Sequence, residues 1–176
     1  MKLRQWFMLF VVLVAACLAV VALRQTVTIP TAARDRAALP VPSPDRDPRQ
    51  VVRIVVDALR ENDTPEPDTG ITITFRFASP ANRAATGPLE WFILMVKSRR
   101  YVPFLMPNTA EYRPMVVRGS EARQAVRLTV AGRIFDYLFV LSRQQNGECP
   151  GCWMTDGVFI TTTLPRTEPR DVEDII

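Results

Sequence analysis

An unbroken apolar run separates the first residues of the chain from everything that follows. Residues 6–23, WFMLFVVLVAACLAVVAL, carry no charge, and a helix over them would have no polar face. This argues against a buried helix of a water-soluble domain. About 20 apolar residues cross the ~30 Å hydrocarbon layer of a bilayer, so the run is at the lower limit for a transmembrane helix. We predict a transmembrane anchor or signal segment over residues 1–24, which attaches the chain to a bacterial membrane through residues 6–23.

Two other interpretations of this segment remain open. A charged start and an apolar middle are also typical of a cleaved signal peptide. Residues 14–17, Val-Ala-Ala-Cys, resemble the lipobox of bacterial lipoproteins, although the apolar run continues beyond Cys17. Basic residues flank the run almost equally, so the positive-inside rule does not decide the topology. Two cysteines further along the chain favour the exported, periplasmic or lumenal side, where a disulfide persists.

The net charge of +4 is concentrated near the N-terminus. Residues 1–44 contain five Lys or Arg and one Asp, whereas residues 45–176 contain seventeen of each sign. The second part therefore lacks the positive surface that a nucleic-acid-binding protein needs. The chain has no histidine, which excludes His-dependent catalytic triads and His-ligated metals. We predict no nucleic-acid partner, no metal and no cofactor.

The proline distribution divides the rest of the chain. Residues 25–46 are rich in proline, most densely in Pro40-Val41-Pro42-Ser43-Pro44, which is typical of an extended, semi-rigid spacer. We predict a folded domain over residues 47–164 and an acidic tail over residues 165–176.

Helix signals come first in the predicted domain. Asp47-Pro48-Arg49-Gln50 combines an N-cap, a proline at the first helical position and a capping-box glutamine, which predicts a helix that ends near Asn62. A second helix is predicted from Pro88, where apolar residues recur at helical spacing. Between them, residues 71–77 alternate β-branched, aromatic and polar types, so propensity alone predicts a strand there.

The later part of the domain has the period of β-strands. Strands are predicted near residues 110–118, 121–131, 133–143 and 152–163, with tight turns at Gly119-Ser120 and at Gly132. Helices followed by an antiparallel meander predict an α+β domain, with the helices packed on one face of a sheet of about four strands.

Several strings of residues resemble a known family. Arg-Glu-Asn-Asp, Phe-Ala-Ser-Pro-Ala-Asn-Arg and Thr-Gly-Pro-Leu-Glu, all within residues 60–90, resemble the family called domain of unknown function 4864. Residues 149–158, Cys-Pro-Gly-Cys-Trp-Met-Thr-Asp-Gly-Val, resemble its cyanobacterial and plastid branch, and the likeness covers roughly residues 49–160. The family is similar to the nuclear transport factor 2-like superfamily, so the resemblance implies a cone-like domain with a curved sheet, often with a hydrophobic pocket.

The resemblance also implies a helix through residues 71–77, and we favour it over the strand. It implies no activity, because the superfamily contains isomerases, cyclases, dehydratases and binding modules alike.

The most distinctive short motif of the sequence is the pair of cysteines Cys149 and Cys152. Pro150 and Gly151 between them suit a type II turn, whose ends lie within the Cα separation of a disulfide. A disulfide is therefore predicted, and three alternatives remain open. A thioredoxin-like redox pair would need a helix N-terminus where a strand is predicted. A zinc site would need four ligands, hence a dimer, and reduced thiols without a role are the last alternative.

A pocket in the cone is the other candidate site. A carboxylate that points into an apolar pocket has a raised pKa and can act as a general acid or base. The candidates are two acidic and three aromatic residues: Tyr101, Tyr112, Asp136, Trp153 and Asp156. Asp136 cannot share a face of the sheet with Tyr137. We favour the competing interpretation that Asp136 pairs with Arg127 or Arg123 across the strands.

These observations favour a membrane-tethered, non-enzymatic module that binds a small apolar ligand or a protein partner, with homodimer formation through the outer face of the sheet. The alternative is an isomerase-like or dehydratase-like enzyme with an Asp in the cone. A thiol–disulfide redox role of Cys149 and Cys152 is the third hypothesis.

Overall fold

Residues 39–106 and 109–161, which a computed structural model describes, form four helices packed with an open, curved antiparallel sheet of five strands. The α+β class is confirmed. The predicted anchor, the start of the spacer and the acidic tail lie outside the described residues. Within the described ranges, no helix is long and apolar enough to cross a membrane.

Helix α1 spans Pro48–Arg60 and has the predicted capping box. The backbone N–H of Gln50 donates to the Asp47 carboxylate at 2.8 Å, and the backbone N–H of Asp47 donates to Gln50 Oε1 at 2.9 Å. One face of α1 is buried against the sheet and the other helices, through Val51, Val52, Val55, Val56 and Leu59.

Helix α2 spans Thr69–Arg76, so the strand that propensity predicts over residues 71–77 is wrong and the helix is confirmed. The reason is tertiary, because the start of α2 is held by the loop that follows α1. Asn62 Oδ1 accepts a hydrogen bond from the Ile71 N–H at 3.0 Å, and the Asn62 carbonyl accepts one from the Gly70 N–H at 2.9 Å. Such contacts override a weak intrinsic preference.

Two short α-helices and one turn of 3₁₀ helix follow. Helix α3 spans Pro80–Thr86 and begins at the cap Ser79, whose hydroxyl accepts from the Asn82 N–H at 3.2 Å. Helix α4 spans Leu89–Val96, where the second helix was predicted, and a 3₁₀ helix covers Val102–Phe104.

The strands are β1 (Thr109–Tyr112), β2 (Val116–Arg118), β3 (Glu121–Val130), β4 (Arg133–Arg143) and β5 (Trp153–Ile160). They are ordered β1–β3–β4–β5, and β2 pairs with the same edge of β3 as β1. The prediction of about four strands needs one correction: the first predicted strand is divided at residues 113–115. Pro114 has no N–H to donate, which explains the division.

Alternation along β3 and β4 places the core on one face of the sheet. Val126, Leu128, Tyr137 and Phe139 are buried and point towards the helices. Both predicted turns are confirmed, since Gly119 (φ 60°) and Gly132 (φ 76°) have the positive φ that tight hairpins require.

Candidate functional site

A cavity of about 310 Å³ lies between the helices and β5, and we call it the β5 cavity. Its deep walls are apolar and are formed by Val55, Leu59, Phe92, Val96, Phe104 and Phe139. Its remaining lining comes mainly from α3 and from the stretch of β5 between Thr155 and Phe159. An apolar protein cavity of about 150 Å³ holds a benzene molecule, so this one has room for a larger molecule.

Thr155 is the polar residue at the buried part of the lining, with only 4% of its surface exposed. Its N–H donates to the Phe77 carbonyl at 2.8 Å. Its carbonyl accepts from the Ser79 N–H at 2.9 Å and from Asn82 Nδ2 at 3.0 Å. The Thr155 hydroxyl, in contrast, has no hydrogen-bond partner among the described residues. Buried polar groups are rarely left unpaired, so this one calls for an explanation.

Tyr101 lines the β5 cavity, as a pocket candidate would, and its hydroxyl donates to the Val158 carbonyl at 3.0 Å. Its ring stacks on that of Tyr137, 6.4 Å away between centroids. Tyr137 lies in the core and donates to the Arg100 carbonyl at 2.8 Å. Burial, with a smaller contribution from Tyr101, raises the pKa of Tyr137 to about 12. Both hydroxyls are thus held as hydrogen-bond donors.

Asp156 also lines the β5 cavity, at a β-bulge. Gly157 pairs with Val140 and Thr155 with Leu141, so Asp156 is the extra residue of β5. Its carboxylate accepts a hydrogen bond from the Ser142 hydroxyl at 2.9 Å. The carboxylate is therefore already engaged by a residue of β4.

Asp136 is not among the residues that line the β5 cavity within the described part of the chain. It lies opposite Arg127 in the register of β3 and β4, on the face that points away from the helices. The Arg127 guanidinium donates two hydrogen bonds to its carboxylate, at 2.8 and 3.0 Å. This hydrogen-bonded charge pair raises the pKa of Arg127 further. The favoured interpretation of Asp136, a cross-strand pair with Arg127, describes this geometry.

Tyr112 and Trp153 lie away from the described lining too. The Arg53 guanidinium carbon lies 4.6 Å from the centre of the Tyr112 ring. Burial, reinforced by the nearby Asp57 charge, raises the pKa of Tyr112. Trp153 belongs to the hydrophobic core. Of the five candidates, Tyr101 and Asp156 are therefore brought together at the cavity.

Cys149 and Cys152 lie at disulfide distance, with 5.6 Å between their Cα atoms. The Cys152 N–H donates to the Cys149 carbonyl at 3.2 Å and Gly151 has φ 83°, which together define the predicted type II turn. Strand β5 begins directly after Cys152, so the pair does not precede a helix as in thioredoxin-like motifs. Residues 39–106 and 109–161 contain no cluster of three or more metal-ligating side chains of the Cys, Asp and Glu types.

Sequence reasoning missed Thr155, Asn82 and the apolar walls of the cavity. One signal was available, because Thr155 follows Trp153 by two residues and so points to the same face of a strand. Nothing in the sequence indicates that its hydroxyl is left without a partner.

Comparisons of the chain with protein-family models, with curated proteins and with solved structures found no match. Its function therefore has to be argued from the residues of the site.

Proposed function

We propose that this chain is a membrane-tethered, non-enzymatic module that binds a small, neutral, largely apolar molecule in the β5 cavity. The observation that carries the proposal is the cavity itself, about 310 Å³ with deep apolar walls. Ligand sites in proteins are typically concave, mostly apolar and about 300–1,000 Å³ in volume, with a few placed polar groups. The β5 cavity has the size of the smaller members of this class.

The charges around the cavity favour a neutral ligand. Its described lining includes no Lys or Arg that could pair with an anion. Asp156 is the acidic residue of that lining, and its carboxylate is bound by the Ser142 hydroxyl. Moving a charged ligand out of water without a partner is costly, whereas an apolar one gains free energy by leaving water.

The same contacts favour binding over acid–base catalysis. A general acid or base must reach the substrate with a free proton or lone pair. The Tyr101 hydroxyl donates its proton in a hydrogen bond to the Val158 carbonyl, and Asp136 is paired with Arg127 on the other face of the sheet.

The proposed anchor fits this function, because a bilayer concentrates apolar molecules close to a tethered domain. The resemblance to the nuclear transport factor 2-like superfamily supports it as well, since those cones often contain a hydrophobic pocket.

The test uses the full chain in lipid nanodiscs, labelled with ¹³C in its methionine methyl groups, and benzene as the probe. Met95 lines the β5 cavity, whereas Met115 lies between β1 and β2, at the opposite edge of the sheet from β5. We expect benzene to shift the Met95 methyl resonance saturably and to leave that of Met115 in place, because ring currents act over short distances. Absence of a saturable Met95 shift would contradict the proposed function.

Two neighbouring alanines of α3 provide a matched control. Ala84 and Ala85 are both exposed, but Ala85 lines the cavity and Ala84 does not belong to its described lining. We expect Ala85→Trp to obstruct the cavity and weaken benzene binding at least several-fold. Ala84→Trp should leave binding unchanged. Equal effects of the two substitutions would show that benzene binds somewhere else.

A further inference from the structure

We infer that the ligand carries one neutral hydrogen-bonding group, a carbonyl or a hydroxyl, that pairs with the Thr155 hydroxyl at the buried part of the β5 cavity. This inference rests on the proposed function, and it specifies the chemical class of the ligand. The inference follows from which polar groups of the lining already have hydrogen-bond partners in the protein.

The backbone of Thr155 is held in place by hydrogen bonds on both its N–H and its carbonyl. Its N–H bonds to Phe77, and its carbonyl is bonded by both Ser79 and Asn82. These bonds, with the parallel bridge between Ala78 and Thr155, join the end of α2 and the start of α3 to β5. The position of the Thr155 side chain is therefore set by three segments of the fold.

The other hydroxyls of the lining are all satisfied within the protein. Thr74 donates to the Gly70 carbonyl at 2.9 Å, Thr86 to the Asn82 carbonyl at 2.8 Å, and Tyr101 to the Val158 carbonyl at 3.0 Å. Among the hydroxyls that line the described cavity, Thr155 alone has no partner in the protein. A buried hydroxyl without a partner costs free energy, which a ligand atom in the cavity would recover.

The setting of this hydroxyl selects the type of partner. A hydroxyl can donate one hydrogen bond and accept others, so it suits either a carbonyl or a hydroxyl of the ligand. A carboxylate or phosphate would need a cation as well, and the described lining supplies none. The Phe139 and Val55 side chains on the deep walls then cover the apolar part of the ligand.

A pair of nearly isosteric probes tests the inference. Acetophenone and α-methylstyrene have the same shape, but the carbonyl oxygen of the first is a methylene group in the second. Both are titrated into the full chain in nanodiscs, with the Met95 methyl resonance as the readout. Thr155→Val replaces the hydroxyl by a methyl group of similar size, and Thr155→Ser retains the hydroxyl. Partition of each probe into lipid cancels when variants are compared for the same probe.

We expect Thr155→Val to weaken acetophenone binding by about 2- to 12-fold, the range that corresponds to one net hydrogen bond. The same variant should bind α-methylstyrene as well as the wild type does, or more tightly. Thr155→Ser should retain most of the preference for acetophenone.

The outcomes separate the two proposals. If both probes bind and Thr155→Val changes their affinities by the same factor, the hydrogen bond to the ligand is refuted while the binding function stands. If neither probe moves the Met95 resonance of the wild type, the proposed function fails and the inference fails with it. If Thr155→Val binds neither probe because it unfolds, Thr155→Ser decides the outcome. A Thr155→Ser protein that no longer prefers acetophenone to α-methylstyrene would refute the inference.

Discussion

Replacing Gly70 by alanine should destabilise the domain strongly, although alanine is the better helix former. Gly70 is the second residue of α2, where helices α1 and α2 meet. A Cβ atom on Gly70 would lie 2.7 Å from the carbonyl carbon of Ala58 and 2.8 Å from the Cα of Asn62. Both are backbone atoms, so no flexible side chain can move aside, and the two helices would have to separate.

The magnitude follows from three contributions. Overpacking costs about 1–3 kcal/mol in the free energy of unfolding. Separation of the helices also lengthens the hydrogen bonds from Gly70 and Ile71 to Asn62, and each contributes about 1 kcal/mol. The higher helix propensity of alanine offsets at most about 1 kcal/mol of this loss in the free energy of unfolding. We therefore expect Gly70→Ala to lower the free energy of unfolding by about 2–4 kcal/mol.

The assay is urea denaturation of the full chain in non-ionic detergent, followed by circular dichroism. The control is Gly119→Ala, because Gly119 has φ 60° but no atom near its would-be Cβ. That variant should lose only about 1–2 kcal/mol, from backbone strain. A Gly70→Ala protein as stable as the wild type, or more stable, would refute the close approach of α1 and α2.

Three other outcomes follow from the described contacts. Because burial raises the pKa of Tyr137 from 10.0 to about 12, its contribution to stability is complete below pH 10 and is lost as the pH rises towards 12. Urea denaturation across that range should show a smaller loss for Tyr137→Phe than for the wild type. The hydrogen bond from Lys97 lowers the pKa of Asp68 below 3.8, so the pair stabilises the fold above pH 3.8 and less as the pH falls. Lys97→Met should cost about 0.5 kcal/mol at pH 7, and thermal unfolding at acidic pH should show the difference disappear. Reduction of the predicted Cys149–Cys152 disulfide should lower the free energy of unfolding by about 2 kcal/mol, measured by urea denaturation with and without dithiothreitol.

The parts of the fold that local chemistry determines could be predicted from the sequence. The capping box at Asp47 and Gln50 and the hairpin turns at Gly119 and Gly132 depend on residues close in the chain, and all are confirmed. Helix α3 was missed because it is short, although Ser79 followed by proline is a recognisable start. The division of the first strand was missed because one proline in a β-rich stretch does not say where pairing stops and resumes.

The candidate site was harder to predict, because a cavity depends on side chains from distant parts of the chain. Acidic and aromatic residues drew attention as reactive types, and only Tyr101 and Asp156 of those chosen reach the cavity. Thr155 is an ordinary strand residue by type. Its importance comes from the absence of a hydrogen-bond partner within the described structure, which is a property of the packing and not of the residue.

The conformation of residues 71–77 links the fold to the site. As a helix, this segment places Thr74 in the cavity lining and ends so that Phe77 and Ala78 reach β5. The Phe77 carbonyl then accepts a hydrogen bond from the Thr155 N–H, and the Ser79 N–H, at the start of α3, donates to the Thr155 carbonyl. A strand here would rise about 3.3 Å per residue instead of about 1.5 Å, so its end would lie some distance from β5. The hydrogen bonds of Asn62 stabilise the start of this helix, and the residues at its end bind the Thr155 backbone, so the same segment joins the loop after α1 to the cavity.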